Sequence, residues 1–242
     1  MELADAVVLI TGGTSGIGRA LVEAMISKGA TVITCGRDPH RVKVLQRANP
    51  RCLVVELDLS RPDAVETLAE AVEQHAGSLD VLVNNAAIQY NNDTGSDSDE
   101  PFLLDSDVDV NLIVPIKLTA RLLPLIPRHN GAAIVNVTSV VGIVPQARAP
   151  VYSATKAGLR GYTSALRKAL EPEGINVIEA LPPLTDTPMA SRLHGTKREP
   201  EEFAAEMIDA IVHRRSHCSL GQNRIWLHGS DLVSAIAARW IG

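Results

Sequence analysis

The chain has 242 residues, 45% of them hydrophobic and 21% charged, with 17 Gly and 14 Pro, the composition of a folded globular domain and not of a disordered, collagen-like or disulfide-stapled chain. A domain this long buries roughly three quarters of its unfolded surface, so packing alone can hold it together. Twenty-three basic residues against 28 acidic ones leave a formal charge of −5 with no long basic run, which argues against a phosphate-neutralising face for nucleic acid.

Apolar runs at 6–11, 31–35, 52–57, 81–84, 132–137, 176–181 and 224–227 alternate with helical stretches. Because the runs are near-continuous in Val, Ile and Leu, they read as strands covered on both faces. The expected fold class is therefore α/β: a doubly wound (Rossmann), mostly parallel seven-stranded sheet with helices on both faces, in a single domain over 1–242. Ile17, Leu21 and Met25 mark the first helix at four-residue spacing, with Gly29 as its stop. Asp38 before Pro39 reads as the N-cap of the second helix, and Ser60 with Asp63 as a capping box opening the third. The polar stretch 91–100 reads as a loop, and Leu232, Ile236 and Trp240 predict a terminal helix at about 231–240.

Cys35, Cys52 and Cys218 are odd in number and scattered, so neither a disulfide framework nor a zinc site is expected. Asp93, Asp97, Asp99 and Glu100 lack EF-hand spacing, His213 and His217 lack a partnering acid motif, and no metal is expected. The N-terminal run is too short to span a bilayer and has no basic start. A reducing, cytoplasmic location without a membrane or nucleic-acid partner is the expectation.

The first strand runs into Thr11-Gly12-Gly13-Thr14-Ser15-Gly16-Ile17-Gly18, and a helix follows. Glycines there permit a tight turn and close approach of the backbone to a pyrophosphate, whose charge suits the open N–H groups of the helix start. Dinucleotide binding follows from that strand, loop and helix together. The second strand ends in Gly36, where NAD-selecting folds place an acid for the ribose hydroxyls, and Arg37 follows. A guanidinium there can pair with a 2′-phosphate, so NADP(H) is favoured over NAD(H).

The T-G-x-x-x-G-I-G spacing resembles the short-chain dehydrogenase/reductase family, and the resemblance continues from about residue 6 to 189. Tyr152 and Lys156 stand four apart in Tyr-Ser-Ala-Thr-Lys, on one face of a helix, Ser139 ends the fifth strand, and Asn111 lies in the preceding long helix. The resemblance implies an active site in which Tyr152 is the acid/base, Lys156 and Ser139 support it, and Asn111 holds a water in a proton relay. It also implies a cofactor-binding set of Gly12, Thr14, Ser15, Gly16, Ile17, Gly18, Arg37, Asp58, Leu59, Asn85, Ala86, Tyr152 and Lys156. Asp58 looks like the family's adenine-contacting acid, and Asn84-Asn85-Ala86-Ala87 like its N-N-A-G block with Ala87 in place of glycine. The segment from Leu181 to Met189 is similar to P-G-x-V-x-T, which puts Pro182, the Thr185 backbone and the Thr187 hydroxyl around the nicotinamide carboxamide, with Pro183 where glycine is usual. Strong NADP binders in the family often carry a second basic residue near Ser15, so the preference is expected to be modest. The tail resembles a minor subgroup of short reductases, some named after D-alanyl teichoic-acid operons.

Elementary chemistry supports the same roles. Carbonyl reduction needs a proton delivered to the developing alkoxide from within about 3 Å. Tyrosine can supply it, its ordinary pKa near 10 being lowered by roughly 1–3 units beside an ammonium. Ser139 can donate to the carbonyl oxygen, whereas the Asn111 amide cannot titrate and reads as structural. The expected function is carbonyl and secondary-alcohol interconversion on a small-molecule substrate, with 184–200 as substrate loop. Val141, Ile143, Val151, Leu184, Met189 and Leu193 predict a mainly apolar pocket with Arg148 as its charged exception. A dinucleotide sensor or scaffold on the same fold is the alternative, countered by the intact Ser139, Tyr152 and Lys156. An epimerase or dehydratase is disfavoured because only about 60 residues follow Pro182 (242 minus 182). Apolar Leu112, Ile113, Ile116, Leu118, Leu122 and Leu123 predict a homo-oligomer, a homodimer ahead of a homotetramer.

Overall fold

The computed structural model describes residues 2–89, 101–128 and 131–221, with only the backbone of 101–104. The segments expected as the polar loop and the terminal helix lie outside the described residues. Seven strands, β1 (Val7–Ile10), β2 (Thr31–Gly36), β3 (Leu53–Glu56), β4 (Val81–Asn84), β5 (Ala133–Val137), β6 (Asn176–Leu181) and β7 (His217–Ser219), form one sheet in the order β3-β2-β1-β4-β5-β6-β7. Every neighbouring pair is parallel. The strand expected at 224–227 lies outside the described residues; β7, His-Cys-Ser, was not expected, being too short and too polar to stand out as an apolar run.

Helices α1 (Gly16–Ser27), α2 (Pro39–Ala48), α3 (Ala64–His75), α4 (Pro101–Val108), α5 (Val114–Leu122), α6 (Pro150–Leu170) and α7 (Pro200–Val212) flank the sheet. The pleat explains why the strand runs are continuously apolar. Val8 and Ile10 point into a core shared with Leu21 and Met25 of α1 and Phe203 and Met207 of α7. Leu9 between them points the other way, into a core with Leu68 of α3 and Leu118 of α5. Strand order reverses between β1 and β4, so a crevice opens at their carboxyl ends, where such sheets bind ligands.

Asp38 caps α2 as expected, its Oδ1 accepting from the backbone N–H of His40 at 2.9 Å and Arg41 at 3.1 Å. The Ser60–Asp63 capping box does not form. Helix α3 starts at Ala64 without a side-chain cap, because Ser60 donates its N–H and hydroxyl to Asp58 Oδ1 at 3.0 and 2.8 Å while Asp63 pairs with Arg61 at 2.7 Å. The long helix expected around Asn111 is also interrupted. Residues Asp109–Ile113 form a π turn between α4 and α5, where Pro115 has no N–H to give the Asn111 carbonyl four residues earlier. Among the described residues no helix is long and apolar enough to cross a membrane.

Candidate active site

The glycine loop is shaped by close approaches that side chains would block. Gly12 and Gly16 have φ of +71° and +52°, and a Cβ on Gly12 would lie 3.0 Å from the Ala86 Cα. A Cβ on Gly18 would overlap the Gly12 carbonyl. The following block braces this loop: Thr11 Oγ1 accepts from the N–H groups of Asn85 and Ala86, both at 3.0 Å, and Asn85 Nδ2 donates to the Thr11 carbonyl at 2.9 Å. The Asn85 Nδ2 is therefore committed to the loop. Ala87 has no positive φ, so alanine in place of glycine costs nothing there. Ser15, the N-cap of α1, makes no side-chain cap. The open N–H groups and positive end of α1 thus face the crevice, a cradle that fits a pyrophosphate.

Three contiguous cavities follow the strand ends. The first, about 410 Å³, is lined by Gly12, Thr14 and Ser15 together with Arg37, Asp58 and Leu59. Asp58 uses one oxygen on Ser60 and turns towards this space. Arg37 is exposed and has no ion pair among the described residues; Asp38, next to it in the chain, caps α2 and pairs with Arg41 at 3.4 Å. Arg41 lines the same cavity. The glycine loop has no second basic residue near Ser15, but Arg41 brings one to this cavity from α2, which the i, i+3 spacing from Asp38 in a helical first turn could have revealed. A Cβ on Gly36 would overlap the Thr14 side chain, so no residue with a side chain fits at this strand end without displacing Thr14.

The second cavity, about 150 Å³, shares Ala86 with the first, adds Gly16, Ile17, Gly18 and Asn85, and is bounded by Lys156, Pro182 and Thr187. The third, about 320 Å³, lies beyond it, against Ser139, Thr185, Thr187 and Pro182. Tyr152 lines both. Every site residue expected from the sequence lines one of the three except Asn111. Val141, Leu184, Met189 and Leu193 line the third cavity, whereas Ile143 and Val151 do not.

Tyr152, Lys156 and Ser139 are brought together by the packing of a 3₁₀ turn, Val140–Gly142, against α6. Gly142 permits this, since a Cβ there would lie 2.8 Å from the backbone carbon of Lys156. Ser139 caps the turn and hydrogen-bonds Tyr152. Lys156 is 2% exposed, donates from Nζ to the Val137 carbonyl at 2.8 Å and stands 5.6 Å from the Tyr152 ring centre. The electrostatic balance differs from the sequence expectation. Burial, helped by the carboxylate of Asp107, pushes Tyr152 up to about 12 despite the Ser139 hydrogen bond. Burial brings Lys156 down to about 8. The protein on its own holds the tyrosine protonated. Asp107, buried on α4 one turn before Asn111, was missed by sequence reasoning; only the packing of α4 against α6 brings its charge to Tyr152.

Asn111 is fully buried, and its amide is spent on Ile88: Oδ1 accepts from the Ile88 N–H at 2.9 Å and Nδ2 donates to the Ile88 carbonyl at 2.8 Å. Its side chain thus ties the loop after β4 to the π turn and does not reach the cavities. On the opposite rim, Thr185 Oγ1 donates to the Pro183 carbonyl at 2.9 Å, and Thr187 caps a short turn, Pro188–Ala190. A Cβ on Gly16 would touch the Thr187 methyl at 2.9 Å, so this rim closes directly over the glycine loop. The three cysteines are buried and none forms a disulfide, and among the described residues no group of three or more His, Cys, Asp or Glu is placed to hold a metal.

A dehydrogenase/reductase acting on CH–OH groups with a nicotinamide dinucleotide is the class this sheet and cleft define. The chain belongs to the short chain dehydrogenase family, whose sequence profile matches residues 6–198. It is 36% identical over 187 residues to the oxidoreductase DltE of Bacillus subtilis (strain 168), covering 77% of this chain and 74% of that protein. It is 31% identical to dehydrogenase/reductase SDR family member 7B of Xenopus laevis, over 88% of this chain and 73% of that one. Among solved structures, a short-chain dehydrogenase from Streptomyces avermitilis superposes with a TM-score of 0.80 at 26% identity, covering 99% of this chain and 97% of that one. A short-chain dehydrogenase from Sphingobium yanoikuyae in complex with NADPH superposes at 0.85, with 24% identity and coverage of 96% and 95%, a likeness of fold.

Proposed function

We propose that the protein interconverts a carbonyl and a secondary alcohol with Tyr152 as proton donor and acceptor, and that it prefers NADP(H) to NAD(H). The observation that carries this is the position of Tyr152: a protonated hydroxyl, paired with Ser139, on the boundary between the cavity over the glycine loop and the 320 Å³ cavity beyond. Gly12, Thr14, Ser15, Gly16, Ile17 and Gly18 would hold the pyrophosphate, with Asp58 and Leu59 at the adenine end, Ala86 and the Asn85 backbone along the floor, and Pro182, Thr185 and Thr187 at the carboxamide. Bound there, the nicotinamide supplies or accepts the hydride. Ser139 Oγ donates to the substrate oxygen, and Tyr152 Oη gives that oxygen its proton as it becomes an alkoxide. Lys156, poised near 8 in the free protein, can return a proton towards the tyrosine. With the Asn111 amide occupied by Ile88, a relay through Asn111 would use its backbone carbonyl, which Pro115 leaves without the ordinary helical donor.

Arg37, with no acid partner among the described residues and with Arg41 beside it, supports the preference for a 2′-phosphate. The segment 184–200 serves as substrate loop, closed by a bridge between Thr185 and Arg198. Half-buried Leu112, Ile113 and Ile116 support a homodimer, and cysteines that form no disulfide support a cytoplasmic location. The test is a panel of ketones, aldehydes, sugars and secondary alcohols assayed with each cofactor by nicotinamide absorbance. Tyr152→Phe should retain cofactor binding and lose roughly two or more orders of magnitude in turnover. Near-normal turnover by that variant refutes the role of Tyr152, and an absence of turnover across the panel would favour a cofactor sensor. A monomeric mass by light scattering counts against the dimer.

A further inference from the structure

Among the described residues the walls of the 320 Å³ cavity carry a cation and no carboxylate. Besides Tyr152, the residues lining it that can be charged are Arg148 and His194, and no carboxylate is among the described residues that line it. Arg148 has no ion pair among the described residues; its Nε donates to Gln146 Oε1 at 3.3 Å. The segment bearing it is fixed to the start of α6. The Gln146 N–H donates to Ser153 Oγ at 3.1 Å, that hydroxyl donates to the Ala149 carbonyl at 2.8 Å, and the Ala149 N–H returns to the Gln146 carbonyl at 3.1 Å. Ser153 directly follows Tyr152, so the backbone bearing Arg148 is held in register with the proton donor, with the Arg148 side chain exposed at the rim. Val141, Leu184 and Leu193 supply the apolar wall of the cavity.

We propose that Arg148 is a specificity-determining residue, and that the substrate is an oxo acid or hydroxy acid with an apolar body, its carbonyl at Tyr152 and its carboxylate at the Arg148 guanidinium. With Nε turned to Gln146, the terminal nitrogens of Arg148 remain to meet the two oxygens of a planar carboxylate, a match that a lysine could not make. A cavity of this size is at the small end of ligand sites, roughly 300–1,000 Å³, and suits a compact acid. Arg148, the charged exception expected in a mainly apolar pocket, has no ion pair among the described residues, and a neutral ketone leaves it with water alone.

Arg148 has this role only if the protein is the oxidoreductase proposed above, and the experiment separates the two. Matched pairs are assayed with NADPH: 4-oxopentanoate against its ethyl ester, and phenylglyoxylate against its methyl ester. The wild-type protein is expected to favour the free acid by about tenfold or more in kcat/KM. In Arg148→Gln that acid-to-ester ratio should collapse towards one through a rise in KM for the acid, and in Arg148→Glu it should invert. An ester used as well as its acid by the wild type, or a ratio preserved in Arg148→Gln, overturns the assignment while leaving the oxidoreductase reading intact. Failure of acids, esters and the wider carbonyl panel alike overturns both.

Discussion

Gly142→Ala tests whether the turn after Ser139 is held at its working distance by a missing side chain. The added Cβ would lie 2.8 Å from the Lys156 backbone carbon, 2.9 Å from its oxygen and 3.0 Å from the Ala157 nitrogen. Ordinary contact begins at 3.4 Å, so turn and helix must part by about 0.6 Å (3.4 minus 2.8). All three atoms are backbone, and no rotamer change can relieve them. Overpacking of this kind costs about 1–3 kcal/mol, a fall in Tm of roughly 2–12 °C for a chain of this length. Ser139 moves with the turn and Tyr152 with the helix, so kcat should fall about tenfold, given that a 1 Å misplacement costs on the order of a hundredfold. Gly161→Ala is the control. It lies on the exposed side of α6 with nothing within 4 Å of the added carbon, and the gain in helix propensity should stabilise by about 0.5–1 kcal/mol. Thermal melts and steady-state kinetics of both variants decide the matter. A Gly142→Ala protein with unchanged Tm and unchanged kcat refutes the packing account of how Ser139 meets Tyr152.

Lys156→Met should abolish turnover yet raise stability at neutral pH, because burial that takes the ammonium from 10.5 to about 8 costs roughly 3 kcal/mol; after loss of the Val137 hydrogen bond, a net gain of about 1–2 kcal/mol is expected in denaturant melts. Between pH 8 and 10 the unfolded wild-type chain holds more protons at this lysine than the native one, so wild-type stability should gain from this group as pH rises, and the methionine variant should lack that gain; a parallel pH dependence in the two proteins contradicts it. Above pH 10 the sign reverses at Tyr152, whose native form keeps its proton up to about 12 while the unfolded form has lost it, so this group costs stability there. Asp107→Asn removes a charge that opposes ionisation of Tyr152, so the alkaline limb of the reductase profile should move to lower pH; an unmoved limb denies Asp107 that influence. Arg37→Ala should weaken NADPH binding by about tenfold and leave NADH binding unchanged in fluorescence titrations; an unchanged ratio of the two affinities removes Arg37 as the phosphate contact.

The sequence by itself determined the parts of this protein that local patterns encode. Apolar runs too continuous for a one-sided sheet specified parallel strands, and Asp38 before Pro39 specified the start of α2. Thr11 to Gly18, between a strand and a helix, specified the anion cradle, since each of these depends on residues a few positions apart. The π turn was also within reach, as Pro115 has no N–H for the Asn111 carbonyl. What the tertiary structure decided depends on neighbours distant in the chain. Asp58 rather than Asp63 took Ser60 because β3 ends beside it, the Asn85 Nδ2 was spent on Thr11, and the Asn111 amide was spent at both ends on Ile88, so the Asn111 side chain is not left for a ligand or a water. Arg41 joined Arg37 at one cavity once α2 had packed against the sheet. The ionisation of Tyr152 turned on the same kind of fact. Spacing on α6 placed an ammonium nearby and pointed to a lowered pKa, but burial and the Asp107 carboxylate, delivered by a separate helix, raise it instead. A hydroxyl's proton affinity is set by the solvent it loses and the charges that surround it, and those are properties of the packed molecule.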